Sequence, residues 1–384
     1  MGRNKITVVQ MLPELNSGGV ERGTLELGAF LVKKGHRSIV ISGGGRMVAQ
    51  LEKEGSHHIN WQVGKKSLST FKYILPLRRM LLEEKVDILH LRSRVPAWVG
   101  YLAWKSLPAD RRPRLVTTFH GFYSINRFSA VMTKGERVIA ISRFIAKHIR
   151  KNYHVSDKKM VIIHRGVDTE AFDPGKVSKE RIALIEQQWQ LTDAKPPIIM
   201  LPGRISPWKG HDILIKALAD LRDLPWTSVF IGDTAENPRI TENLKDMLHE
   251  YQLLDRVKFV GHCSDMPAAY MLADIVISAA STEPEAFGRV AVEAGAMGKP
   301  VIATAHGGSL ETVLPDKTGW LVKPNDANSL SVALGEAIVD NELRQKLGRQ
   351  GKDWVRNNFT IASMCEKTLA LYENLLTIDT RKPS

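Results

Sequence analysis

Two carboxylates open the chemistry of this sequence. The stretch Ser281-Thr282-Glu283-Pro284-Glu285-Ala286-Phe287-Gly288-Arg289-Val290-Ala291-Val292-Glu293 follows an apolar run. Pro284 and Gly288 keep its first part in a loop and the pattern from Arg289 is helical, so Glu285 precedes a helix and Glu293 lies within it. Eight helical residues span about 12 Å, less if the loop folds back. Carboxylates that cleave a glycosidic bond sit roughly 5 to 9.5 Å apart, so the spacing mildly disfavours hydrolysis. It suits the two ends of one long ligand. Carboxylates accept well from vicinal hydroxyls, which gives Glu293 a ribose and Glu285 a second sugar, with the N–H groups of Gly288, Arg289 and Val290 facing phosphates. A helix N-terminal acid and a solvated face residue are the plainer alternatives.

Two cations come from another loop. Pro202-Gly203-Arg204-Ile205-Ser206-Pro207-Trp208-Lys209-Gly210-His211-Asp212 follows the strand-like run Ile198–Leu201. Arg204 can grip a pyrophosphate with two N–H groups and Lys209 can add a point charge, together countering charge on a departing diphosphate; an ordinary surface loop is the alternative. The sequence has no Asp-x-Asp pair for a divalent ion, so no metal is expected and the phosphates must rely on protein cations. Gly18 and Gly19, after the first strand-like run, are either a tight turn or a place where a phosphate meets helix N–H groups. They are not the G-x-G-x-x-G fingerprint. His120, in Thr117-Thr118-Phe119-His120-Gly121-Phe122, ends a strand-like run and is either structural or aimed at a ligand.

These loops need a frame, and the chain supplies it twice. Apolar runs of four to eight residues alternate with helical patterns, as in parallel sheets covered on both faces. Strands are expected at 7–11, 38–42, 88–91, 115–118, 137–141 and 160–163, then at 198–201, 227–231, 257–260, 275–278, 301–304 and 319–322. The class is α/β, with two Rossmann-like, doubly wound domains and a cleft at the carboxyl ends of their strands. A length of 384 residues agrees, since one core stops growing at about 250 to 300. We place the first domain at 1–175, a linker at 176–195 and the second domain at 196–360. An amphipathic stretch from Ile361 to Leu376 fits either domain.

Composition narrows the setting. No apolar run reaches the roughly 18 residues that span a bilayer, and MGRNKITVVQML carries no hydrophobic signal core, so a cytoplasmic protein is expected. Cys263 and Cys365 are the only cysteines, too few for a disulfide framework or a four-cysteine zinc site. Charge is one-sided: residues 1–178 hold 31 Lys and Arg against 14 Asp and Glu, while the rest hold 23 against 27. Lys65-Lys66, Arg78-Arg79, Arg92, Arg94, Arg111, Arg112 and Arg114, several near aromatic residues, suit an anionic membrane or a phosphorylated glycolipid; a merely solvated basic face is the alternative. No nucleic-acid module is present, and none is expected as partner.

In order and spacing, GGVERGTLELGAFLVKKGH, VIAISRFIAKHIRKNY, VIIHRGVDTEAFDPG, GRISPWKG, the E-x7-E stretch and GGSLETVLPDKTGWLVKPND resemble glycosyltransferase family 4 over nearly the whole chain. Members are retaining enzymes of the GT-B fold. The resemblance implies a hexosyltransferase with a nucleotide-sugar donor and no further cofactor. Arg204 and Lys209 would bind the donor pyrophosphate, Glu293 the ribose, and Glu285 the sugar hydroxyls, with Gly18 and Gly19 approaching from the other domain. Phe287, Gly288, Arg289 and Val290 belong to the same donor loop. His262, Cys263 and Met266, in Gly261-His262-Cys263-Ser264-Asp265-Met266, would meet the base mainly through backbone, which leaves UDP, GDP and ADP sugars undistinguished. His120, Glu285, Arg204 and Lys209 would be catalytic. His120 would orient the sugar and not act as a base, because the leaving phosphate takes the acceptor's proton. The terminal segment 361–384 would pack on the first domain. A glycolipid or lipopolysaccharide-core acceptor on the inner face of the plasma membrane fits the basic first domain. A soluble acceptor, a phosphorylase and a non-catalytic sugar-nucleotide binder are the other readings. The family's glycine-rich turn is reduced here to Gly232-Asp233-Thr234, which leaves Asp233 without an assigned role.

Overall fold

The computed structural model describes residues 5–16 and 18–377; Ser17 and the end of the expected segment 361–384 lie outside the described residues. The chain divides into two compact units, one running up to Arg165 and including the residues from Ile361 onward, the other comprising Gly166–Thr360.

The first unit is built on a parallel sheet of β1 (Thr7–Met11), β2 (Arg37–Ser42), β3 (His57–Asn60), β4 (Ile88–Leu91), β5 (Arg114–Phe119), β6 (Arg137–Ala140) and β7 (Met160–Ile162), in the order β3-β2-β1-β4-β5-β6-β7. The second carries β8 (Ile198–Pro202), β9 (Thr227–Ile231), β10 (Val257–Phe259), β11 (Ile275–Ser278), β12 (Val301–Thr304) and β13 (Gly319–Val322), ordered β10-β9-β8-β11-β12-β13 and also parallel. Each sheet reverses its winding beside its first strand, at β1/β4 and at β8/β11. Ligands of open α/β sheets dock outside the carboxyl ends of strands at such points.

The strands form where continuous apolar runs can be covered on both faces. Val8, Val9, Ile39, Val40, Ile41, Ile275, Val276 and Ile277 are fully buried. Each such side chain contributes about 1.5–3 kcal/mol relative to exposure. One strand departs from the six expected in the first half. His57-His58-Ile59-Asn60 has no apolar run, yet it pairs with β2 as the sheet's edge, and His58 Nε2 lies 2.9 Å from Ser42 Oγ. An edge strand needs only one ladder and little burial, so hydrophobicity does not announce it.

The expected linker 176–195 belongs to the second unit, which begins at Gly166. Ser178 caps the helix Lys179–Gln188, and Arg181 holds Asp265 with Nε and Nη2 at 2.8 and 2.6 Å. The prolines around this segment punctuate a helix, not a domain boundary. The helix Ile361–Thr377 joins the first unit: Met364, Cys365, Leu369, Tyr372 and Leu375 share one core with Ile6, Val8, Leu27, Leu31 and Val116. Among the described residues no helix is long and apolar enough to cross a membrane.

Candidate active site

At the second sheet's switch point the loops after β8 and β11 are tied together. Ser281 N–H donates to Trp208 O at 2.7 Å. Gly210, at φ 74°, packs so closely that a Cβ would stand 1.9 Å from Ala279 O, in a conformation that favours glycine. This fixes Lys209, which is ion-paired with Glu285 and lies 4.3 Å from the centroid of the Trp208 ring. Both members of the pair are only 17% exposed, so their attraction is weakly screened.

Gly288, at φ 88°, leads into the helix Arg289–Ala296, which has no side-chain cap and no acid in its first turn. Its first N–H groups, including those of Arg289 and Val290, therefore carry the positive end of the helix dipole toward the loop. Within the helix, Glu293 accepts from Arg289 Nε and Nη2 at 3.2 and 2.9 Å and from Tyr270 Oη at 3.3 Å. Burial, and next the charge of Glu293, push the Tyr270 hydroxyl far above its ordinary pKa, so it stays a donor. Phe287 is buried, edge-on to Phe359 at 5.6 Å, and anchors the loop.

Arg204 does not join Lys209 and Glu285: its side chain is 71% exposed and its Nε lies 3.5 Å from Glu236. His262 is exposed, Cys263 is buried with its thiol pKa pushed up by that burial, and Met266 opens the helix Met266–Leu272. Asp265 caps this helix through Ala268 N–H at 3.2 Å, and the Arg181 hydrogen bonds hold its carboxyl below the usual range. Asp233 accepts from Ala235 N–H at 2.8 Å, a local turn contact.

The sequence did not assign supporting roles to Arg181, Gly307 or Gly308. Gly308 N–H donates to Glu285 O at 2.7 Å, and Cβ atoms on Gly307 and Gly308 would stand 2.3 Å from Glu285 O and 2.4 Å from Phe287 Cα. The glycine pair of GGSLE thus carries the main chain of the Glu285 loop. Its signal was the doubled glycine; its job needed coordinates.

In the first unit Gly18, at φ 131°, precedes the uncapped helix Gly19–Lys33, and a Cβ on Gly19 would meet nothing within 4 Å. His120 follows β5, and its Nδ1 lies 2.7 Å from Arg165 Nη2. Arginine only donates, so Nδ1 accepts and the proton sits on Nε2, which is buried without a partner. Burial, then Arg165 and Arg92, hold the His120 pKa well below its ordinary value, so the ring is neutral. Arg92 and Arg114, counted among the basic surface clusters, are not surface residues. Arg92 is 3% exposed, and Arg114 is buried against Glu136 at 2.9 Å, because both flank strand ends that turn them inward. Among the described residues no group of three or more His, Cys, Asp or Glu is arranged to hold a metal.

A cavity of about 720 Å³ lined by Lys195, Trp226 and Arg256 opens at the amino ends of β9 and β10, the edge opposite these loops. Parallel sheets present ligands at their carboxyl ends, so the loops after β8, β11 and β12 form the stronger candidate.

Two doubly wound sheets with charged, glycine-rich loops at their switch points define a GT-B protein, and the comparisons name the family. Residues 17–171 match the model "Glycosyltransferase Family 4" and residues 185–354 match "Glycosyl transferases group 1". A GDP-mannose-dependent alpha-(1-6)-phosphatidylinositol monomannoside mannosyltransferase from Mycolicibacterium smegmatis is 31% identical over 74% of this chain and 75% of its own. The crystal structure of a glycosyltransferase from Rickettsia africae aligns with TM-score 0.90 and 36% identity, over 98% of this chain and 100% of that one. Anabaena HepE, solved in complex with UDP, shares the fold at TM-score 0.82 and 22% identity, over 96% and 100% of the two chains. The chain belongs to the group 1 glycosyltransferases, family 4, and is a glycosyltransferase of GT-B fold.

Proposed function

We propose that the chain is a retaining, metal-independent hexosyltransferase that takes a nucleotide-sugar donor on its second unit and a glycolipid or lipopolysaccharide-core-type acceptor on its first. The observation that carries the donor reading is the Lys209–Glu285 pair beside the uncapped start of the helix Arg289–Ala296. A cation and free N–H groups suit a diphosphate, and a neighbouring carboxylate suits sugar hydroxyls. Glu293, already accepting from Tyr270 and Arg289, takes the ribose. Arg204 reaches the phosphates by leaving Glu236, a cheap step because an exposed ion pair contributes only about 0–1 kcal/mol. His262, Cys263 and Met266 border the base, and Gly18 and Gly19, at the uncapped start of the helix Gly19–Lys33, are the first unit's candidates for a phosphate or sugar.

With Nδ1 engaged by Arg165, His120 offers a hydrogen bond to the sugar and not a basic nitrogen. That agrees with a front-face reaction in which the departing phosphate takes the acceptor's proton. Retention itself rests on family likeness.

Exposed Leu68, Phe71 and Leu75 lie among Lys65, Lys66, Lys72, Arg78 and Arg79, a combination suited to an anionic membrane. The phosphatidylinositol-based acceptor in the mycobacterial relative's name supports the same reading, in which the enzyme works at the cytoplasmic face of the plasma membrane.

A panel of UDP, GDP and ADP sugars tests the donor, by binding and by turnover with candidate acceptors. One nucleotide series should bind and turn over. Donors left intact with every acceptor would make the protein a binder instead. Flotation with anionic liposomes tests the membrane: salt-sensitive binding is expected, and none at low salt defeats that part.

A further inference from the structure

The loop after β12 carries a titratable side chain that has no part in the donor site as described so far. In Thr304-Ala305-His306-Gly307-Gly308, His306 stands two residues past the carboxyl end of β12, the strand beside β11 in the sheet. Ligands of open α/β sheets dock at that edge.

The main chain around the ring is fixed. His306 N–H donates to Thr304 O at 2.8 Å, and Gly308 N–H donates to Glu285 O at 2.7 Å. Gly307, at φ 64°, is pressed against the main chain of Glu285. The ring is tied across the loop as well, with Nε2 2.8 Å from Ala280 O. A carbonyl only accepts, so Nε2 carries the proton and Nδ1 presents a lone pair. Burial lowers the His306 pKa, against smaller upward effects of the Ala280 bond and the Glu285 charge, so the ring is neutral at pH 7 and Nδ1 stays an acceptor.

Pinning the loop uses Nε2 alone. The ring is half-buried, and among the described residues nothing hydrogen-bonds to Nδ1, which is not itself buried. Glu285 is close enough for its charge to act on the ring, so a carboxylate and a neutral acceptor stand near each other. Lys209, paired with Glu285, supplies the cation for phosphate. A lone pair at Nδ1 repels phosphate oxygens and attracts hydroxyls. Neighbouring hydroxyls of a pyranose point in fixed relative directions, so the configuration at one carbon decides whether two separate acceptors are both reached. A site built to bond a hydroxyl rejects the analogue that cannot offer it.

We propose that His306 Nδ1 accepts a hydrogen bond from a hydroxyl of the transferred sugar, beside the hydroxyl taken by Glu285, and so selects the sugar by the configuration of one carbon. This rests on reading the second unit as the donor side. The full chain is titrated by calorimetry with UDP, GDP and ADP, then with the glucose, galactose, mannose and N-acetylglucosamine esters of the diphosphate that binds. The wild type should prefer one sugar. His306→Gln keeps an N–H for Ala280 O and removes the acceptor at Nδ1; it should weaken the preferred nucleotide sugar about five-fold and leave the bare diphosphate within about two-fold. His306→Asn sets an amide oxygen near the Nδ1 position and should recover part of the preference. A ring that only shapes the loop would move diphosphate and nucleotide sugar together. Equal change in both ligands in His306→Gln, no change in either, or a wild type that binds all the sugars alike overturns the proposal. A wild type that binds none of the diphosphates defeats the donor reading and the proposal with it, so the two failures are told apart.

Discussion

The two switch points hold their cations differently. At β8/β11, Lys209 faces Glu285 and Arg289 faces Glu293, so each positive charge has a carboxylate. At β1/β4, Arg92 has an amide, and Arg165 has an imidazole that stays neutral. The first arrangement can exchange partners with a ligand bearing both phosphates and hydroxyls without changing its net charge. At the second, Arg92 is buried and its side-chain hydrogen bond goes to a neutral amide, so an exchange of that kind has no carboxylate to release from it. Two sheets of the same winding thus hold the cations at their switch points with different partners.

The largest effect separates the two acids of the balanced site. Glu285→Ala should lower kcat by at least about 100-fold with modest loss of donor binding, whereas Glu293→Ala should chiefly raise donor KM, by about ten-fold. Equal, purely KM effects in steady-state kinetics would refute that division.

Next is a pair of glycine substitutions, one in each unit. Gly210→Ala drives a Cβ into the main-chain oxygen of Ala279 at positive φ and should cost about 3 kcal/mol or more in urea unfolding. Gly23→Ala meets the end of the Arg165 side chain, which can swing away, and should cost only about 1 kcal/mol while displacing that guanidinium. Similar losses would mean the arginine is as fixed as a backbone.

Acid should separate the units in the same sense. His90 and His120 are held well below their ordinary pKa, first by burial and then by nearby arginines, with smaller downward shifts at His58 and His148. The unfolded chain takes up these protons near pH 6.5, so the stability is complete above that value and falls as pH drops, by up to ~1.4 kcal/mol per pH unit for each buried ring. The second unit has His211, lowered to about 3 by burial and then Lys209, and the partly exposed His306. Hydrogen exchange between pH 7 and 5, corrected for intrinsic rates, should show the first unit loosening sooner; parallel loosening would count against it.

The smallest expected effect is none. Transfer should continue in excess EDTA, because protein groups supply the counter-charge at the balanced site. Complete loss restored by Mg²⁺ would move that charge to a metal.

Much of the frame was legible because parallel strands buried on both faces write themselves as apolar runs. The GRISPWKG loop and the E-x7-E stretch were legible because phosphate and sugar chemistry needs those groups after a strand. His120 was visible as a strand-end histidine and, through the family resemblance, as an active-site group, but its Arg165 partner was not. Arg92 was misread, since an arginine in a basic cluster gives no local sign of pointing inward. Edge strand β3 was lost for a related reason, since one edge ladder leaves no period in the sequence; the helix Lys179–Gln188 was legible as a short helical stretch around Arg181 to Trp189, but not the Arg181–Asp265 clamp that ties it to the second unit.

The sequence by itself determined the two doubly wound halves, the loops that carry the charges, and the family. Tertiary structure decided which charges meet. Lys209 reaches Glu285 across 76 positions, Arg165 reaches His120 across 45, and Arg204 turns away to Glu236. Hydrophobic burial is encoded by local period, whereas the partner of a charge depends on which loops the sheet order brings side by side.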